Sequence, residues 1–112
     1  MIYKILRQDE WQILTETGEF SGAPVDLADG FIHFSNADQV EETARKHFAG
    51  LPGLVLVAVD PAKLGDALKY EVSRGGALFP HYFGTLKIAH VTWAKPLPLH
   101  ADGAHHFEGL LA

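Results

Sequence analysis

The six residues Leu54-Val55-Leu56-Val57-Ala58-Val59 constrain the fold more than any other stretch. They are apolar at both alternating positions, so the run reads as a strand in the middle of a sheet. It is far shorter than the roughly 20 residues needed to cross a bilayer. A chain of 112 residues has room for one domain around one core, and too little for two lobes with a cleft between them.

Other elements can be placed around that strand. Ile2 to Leu6 alternates as a first strand, and Asp9 is positioned to cap a short helix through Trp11, Ile13 and Leu14 that stops at Gly18. Phe20 to Asp29 reads as an irregular connection with room for one helical turn, and Phe31 to Phe34 as a short strand. Ser35, with Asp38 three residues on, is expected to cap the clearest helix. Val40, Ala44, His47 and Phe48 fall on one face of that helix, and Gly50 and Pro52 end it. Asp60-Pro61 opens a turn or short helix to Asp66, and Ala67 to Val72 reads as a strand. Residues 73 to 84 read as a loop, and Leu86 to Trp93 as a strand with a bulge at Ala89-His90. Pro96 and Pro98 break regular structure. The expected architecture is α+β, with a single domain over residues 1–99 and a peripheral tail over 100–112.

Nine Lys+Arg against fourteen Asp+Glu give a net charge of −5. An acidic chain with no basic cluster is a poor grip for a long phosphate backbone, which argues against long nucleic acid but not against one small phosphorylated ligand. The start MIYKILRQDEW reaches acidic residues too soon for a signal peptide, and a cytoplasmic location with no membrane partner is expected. With no cysteine, disulfides, thiolate metal sites and cysteine nucleophiles are excluded. There are seven histidines, but none at HxH or HExxH spacing, so no metal is expected. His100, His105, His106 and Glu108 lie in the tail, where adventitious capture is the alternative.

Two segments concentrate residues able to carry chemistry. In Asp29-Gly30-Phe31-Ile32-His33-Phe34-Ser35, His33 sits on a strand end and Ser35 where strand gives way to helix, suited to a phosphate or ribose. The alternative is a core histidine beside a serine that only caps. In Tyr70-Glu71-Val72-Ser73-Arg74-Gly75-Gly76, Glu71 and Arg74 flank a strand end and can pair with each other or meet a ligand. Gly75 and Gly76 permit positive φ and close backbone approach, or simply a tight turn. His81, Tyr82 and Phe83 follow, able to stack on a planar ring or to pack. No P-loop and no GxGxxG is present. A further pattern, His33-Phe34-Ser35 with His90-Val91-Thr92, is the paired H-x-[Ser/Thr] of two-histidine phosphoesterases, where two histidines serve as general acid and base.

Together, Asp29-Gly-Phe-Ile-His-Phe-Ser35, the helix with Gln39-Val40 and Thr43-Ala44, and Glu71-Val-Ser-Arg-Gly-Gly-Ala-Leu-Phe-Pro-His81 resemble a small bacterial family known as domain of unknown function 952. The likeness runs from about residue 2 to 98. It implies an ADP-ribosyltransferase-like fold, with two small, mostly antiparallel sheets around an NAD cleft. It also implies that His33 contacts the nicotinamide side of NAD with Ser35 in support, and that Tyr82 or Phe83 stacks on the ring. Family members usually read His-Leu-Tyr-Gly where this chain has His81-Tyr82-Phe83-Gly84. The expected transferase glutamate follows that motif, whereas Glu71, the candidate here, precedes it. Arg74 would hold phosphate, with His81, Gly75 and Gly76 beside the ligand. The implied activity is NAD-dependent ADP-ribosyl transfer or a related phosphotransfer, and the alternative from another class is a module that binds a nucleotide-like ligand without reacting it.

Overall fold

The computed structural model describes residues 1–111, and of Arg74 the backbone alone. Its architecture is α+β, with antiparallel sheets and helices packed on them. The first sheet is assembled from β1 (Ile2–Leu6), β4 (Ser35–Asn36), β5 (Leu54–Val59) and β9 (Val91–Leu97), in the order β4-β1-β5-β9. As its pattern predicts, β5 is interior, paired with β1 on one side and β9 on the other. Its six side chains divide by alternation. Val55, Val57 and Val59 join one core cluster with Ile2, Leu6, Leu14 and Phe34, whereas Leu54, Leu56 and Ala58 join another with Tyr3, Ile5, Val40 and Ala44. Both faces of this sheet are therefore covered, which is what an unbroken apolar strand requires.

Helix α1 (Gln8–Thr17) packs Leu14 into the first cluster. Its N-cap is Arg7 rather than Asp9: the Glu10 carboxylate accepts the Arg7 N–H at 2.9 Å, leaving Asp9 within the first turn. The stretch from Phe20 to Asp29 is more regular than its composition suggests. It begins in β2 (Glu19–Phe20) and ends as α2 (Pro24–Asp29), with Pro24 in the first turn, where a missing N–H does no harm. Helix α3 (Val40–His47) covers the second cluster through Val40 and Ala44. Glu41 and Glu42 lie in its first turn and Arg45, Lys46 and His47 in its last, matching the helix dipole. Residues 100–112, set apart above as a tail, send Phe107 into this cluster, with Leu110 and Leu111 packed against it.

A three-stranded sheet, in the order β3-β7-β6, contains β3 (Ile32–His33), β6 (Leu68–Val72) and β7 (Leu78–Tyr82). The expectation of a loop over 73 to 84 is corrected here, because Leu78–Tyr82 is the central strand. A proline argues against an interior strand, since it cannot donate to the ladder. Pro80 is tolerated because its carbonyl accepts the Phe34 N–H at 3.0 Å while the pairing of β3 stops at His33, just short of it. The absent N–H thus ends β3 and releases the chain at Phe34 into β4 of the other sheet. Gly75 and Gly76, with φ of 70° and 79°, build the turn joining β6 to β7.

Two further corrections concern the C-terminal half. The predicted strand Leu86 to Trp93 is divided by a 3₁₀ turn at Ile88–His90. Before the turn β8 (Leu86–Lys87) pairs with β2, and after it β9 joins the first sheet; the register irregularity falls opposite Ala58/Val59 instead of at Ala89-His90. Pro96 lies inside β9 without breaking it, because β9 is an edge strand.

Tyr82 closes β7 by packing into the first cluster, 7% exposed. A methyl group at Gly84 would lie 2.7 Å from Tyr82 Cζ and 2.8 Å from its Oη. Gly84→Ala is therefore expected to cost about 1–3 kcal/mol by displacing the ring. Urea unfolding checks this, and the cost should shrink in a Tyr82→Leu background, where the clashing atoms are gone.

Candidate functional site

Strand β4 pairs with only Ile2 and Tyr3 of β1. Beyond Tyr3, that side of β1 has no strand partner among the described residues, and a cavity of about 560 Å³ occupies the place. Because it runs along a strand edge, it is lined from both sheet faces: by Lys4 on one side, and by Tyr3 and Ile5 on the other. His33 to Ser35, the start of α2, the α3 residues Val40 and Thr43, and Phe79 and His81 of β7 close it. Its volume falls in the range of small-molecule sites, roughly 300–1,000 Å³.

His33 is fixed from behind by a residue that the sequence did not single out. Asp26, whose side chain is 0% exposed, accepts five hydrogen bonds: two from Lys4 Nζ (3.1 and 2.9 Å), one each from the Ala23 and His33 N–H groups (2.8 and 3.1 Å), and one from His33 Nδ1 at 2.6 Å. Burial alone would raise the Asp26 carboxyl; the His33 hydrogen bond and the Lys4 charge outweigh it and hold the pKa at about 2. An ionised carboxylate only accepts, so the Nδ1 atom of His33 carries the proton. On the far side of the ring, Nε2 lies 2.9 Å from Asp29 Oδ2. The two ends of α2 therefore supply a carboxylate to each ring nitrogen.

The second motif reaches the same cavity through His81, which lies across the ladder from His33. Its Nδ1 is 2.8 Å from Glu71 Oε1, and its ring stacks on Phe31 at 4.1 Å. Phe31 also leans on His33 (4.6 Å) and on Phe83 (5.1 Å), so a single aromatic ring ties the two motifs together. Glu71 itself, its side chain 45% exposed, stands outside the cavity-lining set. Ser35 lines the cavity but caps nothing: Gln39 is the N-cap of α3, and the Ser35 hydroxyl is 2.9 Å from that of Thr43.

The remaining candidates are placed elsewhere. Tyr82 faces the opposite core, so of the two adjacent aromatics Phe83 is the one on the His81 side. Gly75 and Gly76 lie in the exposed hairpin turn, where neighbouring Ser73 reaches the cavity. Arg74, the expected phosphate clamp, has its side chain outside the described residues. Arg7 is a cavity-lining cation, with its guanidinium 5.5 Å from the centre of the Phe48 ring.

His90 does not line the cavity that His33 lines. Its Nδ1 accepts the Lys87 N–H at 3.0 Å, and its ring stands edge-on to Tyr82. Burial, then Lys87 and Lys63, push its pKa down. The paired-histidine phosphoesterase arrangement, which needs both rings across one cleft, is not formed. Among the described residues no group of three or more His, Cys, Asp or Glu side chains could hold a metal. No helix of the described residues is long and apolar enough to cross a membrane.

Because Asp26 titrates at about 2 in the fold against an ordinary 3.8, its ionised form stabilises the protein fully above about pH 4 and loses that contribution as the pH falls toward 2. The loss should amount to about 2 kcal/mol. Urea unfolding across this window should show a slope that Asp26→Asn flattens.

The geometry can be set beside known proteins. The crystal structure of Protein CC0527 from Caulobacter crescentus is 50% identical, covers 95% of this chain and 93% of its own, and superposes with a TM-score of 0.91. A double mutant of that protein gives 48% identity and the same TM-score, and its solution NMR structure gives 50% and 0.86, covering 95% of this chain and 91% of its own. No curated protein matches the chain. The family described as "Protein of unknown function (DUF952)" matches residues 5–94, a span that includes both motifs. The chain belongs to the DUF952 family.

Proposed function

We propose that the cavity beside β1 binds NAD or an ADP-ribose-like nucleotide. The observation that carries this reading is that His33 and Ser35 from one motif, and Phe79 and His81 from the other, line one cavity of small-molecule size. Phe34, Phe48 and Phe79 supply apolar surface for a base or nicotinamide ring. A ribose hydroxyl would reach His33 Nε2 by displacing the half-exposed Asp29 carboxylate, with the Ser35 hydroxyl beside it, and Arg7 offers a positive charge for phosphate. His33 is the specificity residue, since Asp26 fixes the proton on Nδ1 and the two carboxylate neighbours fix the plane of the ring.

The ADP-ribosyltransferase-like reading of the fold belongs to the same proposal. Its support is the position of the cavity between the four-stranded sheet, which contributes β1, and the three-stranded sheet, which contributes β3 and β7. Binding without transfer is the favoured form. Glu71, the carboxylate a transferase would direct at the ribose, is spent on His81 at the rim.

Titration with NAD and with ADP-ribose, followed by calorimetry and amide shifts, tests the reading. Saturable binding should move His33, Ser35 and His81 and leave His90 and His100 still. His33→Ala should weaken it about tenfold, the loss of one good hydrogen bond. Nicotinamide released from bound NAD would mark a transferase instead. If neither ligand moves those residues, the proposal fails.

A further inference from the structure

We infer that β6 is a self-complementary edge through which two copies of this chain pair. Strand β6 bonds only to β7 among the described residues, and Lys69 to Val72 are exposed. Which of its main-chain groups face outward follows from Pro80. The Pro80 carbonyl points to β3, where it accepts the Phe34 N–H, and Tyr70 is its partner across the β6–β7 ladder. N–H and C=O of one strand residue point the same way, so those of Tyr70 point away from β7. The Phe83 N–H donates to the Ala67 carbonyl, which sets the same phase. Residues 67, 69 and 71 therefore bond inward. At the open edge Tyr70 and Val72 present an N–H and a C=O each, and Leu68 a C=O, its N–H being donated to the Gly65 carbonyl.

A second copy fits that edge antiparallel, with the two-fold axis at Tyr70. Tyr70 then meets Tyr70 of the other copy in a pair that exchanges both bonds, and the Leu68 carbonyl accepts the Val72 N–H of the other copy, twice by symmetry. Between them Lys69 faces Glu71 of the other copy, twice by symmetry. Centred on Tyr70, the sequence Leu-Lys-Tyr-Glu-Val thus opposes apolar to apolar and positive to negative. A random edge has no such match, and the usual protective device, a lone edge lysine, is here given an acid to meet. The exposed apolar side chains agree: Tyr70 is 47% exposed and Val72 69%, on the same sheet face as Leu78 at 52%. Pairing would join these into one surface and make a six-stranded sheet. It would also set the other copy's Lys69 beside Glu71, the acid that holds His81 in the cavity wall.

The contact is small, so association should depend on concentration. Sedimentation equilibrium over micromolar to millimolar protein should show monomer and dimer, with the Tyr70 and Val72 amides gaining exchange protection as dimer forms. Lys69→Glu places glutamates opposite each other and should weaken association about tenfold. The double swap Lys69→Glu/Glu71→Lys should restore it, a result that loss of folding cannot imitate. Tyr70→Pro removes an outward N–H without touching the β6–β7 ladder and should abolish it. A wild-type chain that stays monomeric at millimolar concentration overturns the inference, as does a dimer indifferent to Lys69→Glu and Tyr70→Pro.

Discussion

The site depends on one buried carboxylate. A fully desolvated Asp26 would be strongly destabilising in isolation, and its acceptor capacity is filled from three directions. Lys4 comes from β1, Ala23 from the segment entering α2, and His33 from β3, so the carboxylate fixes how these elements meet. The pairing is reciprocal. Lys4 is itself buried in a strand that is otherwise apolar, and without Asp26 its charge would have no compensation of its own. Gly22 belongs to the same constraint: its φ is +135°, and a Cβ there would lie 2.7 Å from Asp26 Cβ.

This constraint explains what could and could not be read from the residues alone. Runs whose physics is local were legible: the doubly apolar β5, the alternation of β1, the amphipathic α3, and the two motifs that mark the family. The cavity walls were legible as motifs, but not as parts of one geometry. Asp26 escaped notice because its role is set by contacts with residues 4 and 33, and nothing in its immediate neighbourhood distinguishes it from a turn aspartate. The one available signal was Lys4, a lysine inside IYKIL that an apolar strand must neutralise somewhere. Ser35 and Asp38 imitate a capping box, yet pairing of Ser35 with Tyr3 overrides that local preference and moves the helix start to Gln39. The strand Leu78–Tyr82 is hidden in the same way, since the penalty of Pro80 in an interior strand disappears only when the neighbouring strand ends opposite it.

Pro80 and β4 together decide where the chain leaves strand edges unfinished. By ending β3 at His33, the proline sends the chain across to β1, and the brevity of β4 then leaves the rest of that edge without a strand. This open edge is enclosed by α2, α3 and β7, and enclosure turns it into a cavity. The same proline sets the phase of the β6–β7 ladder and so determines which groups of β6 face outward. That second open edge has no strand partner among the described residues. An enclosed edge offers main-chain groups to a small ligand held by side chains on several sides, whereas an uncovered one offers them to another strand. The two surfaces proposed here, one for a nucleotide and one for a second copy, both trace to a single residue's missing N–H. They meet at Glu71, which faces the open edge's partner on one side and His81 of the cavity on the other. Occupancy of one should therefore be felt at the other through the His81 ring.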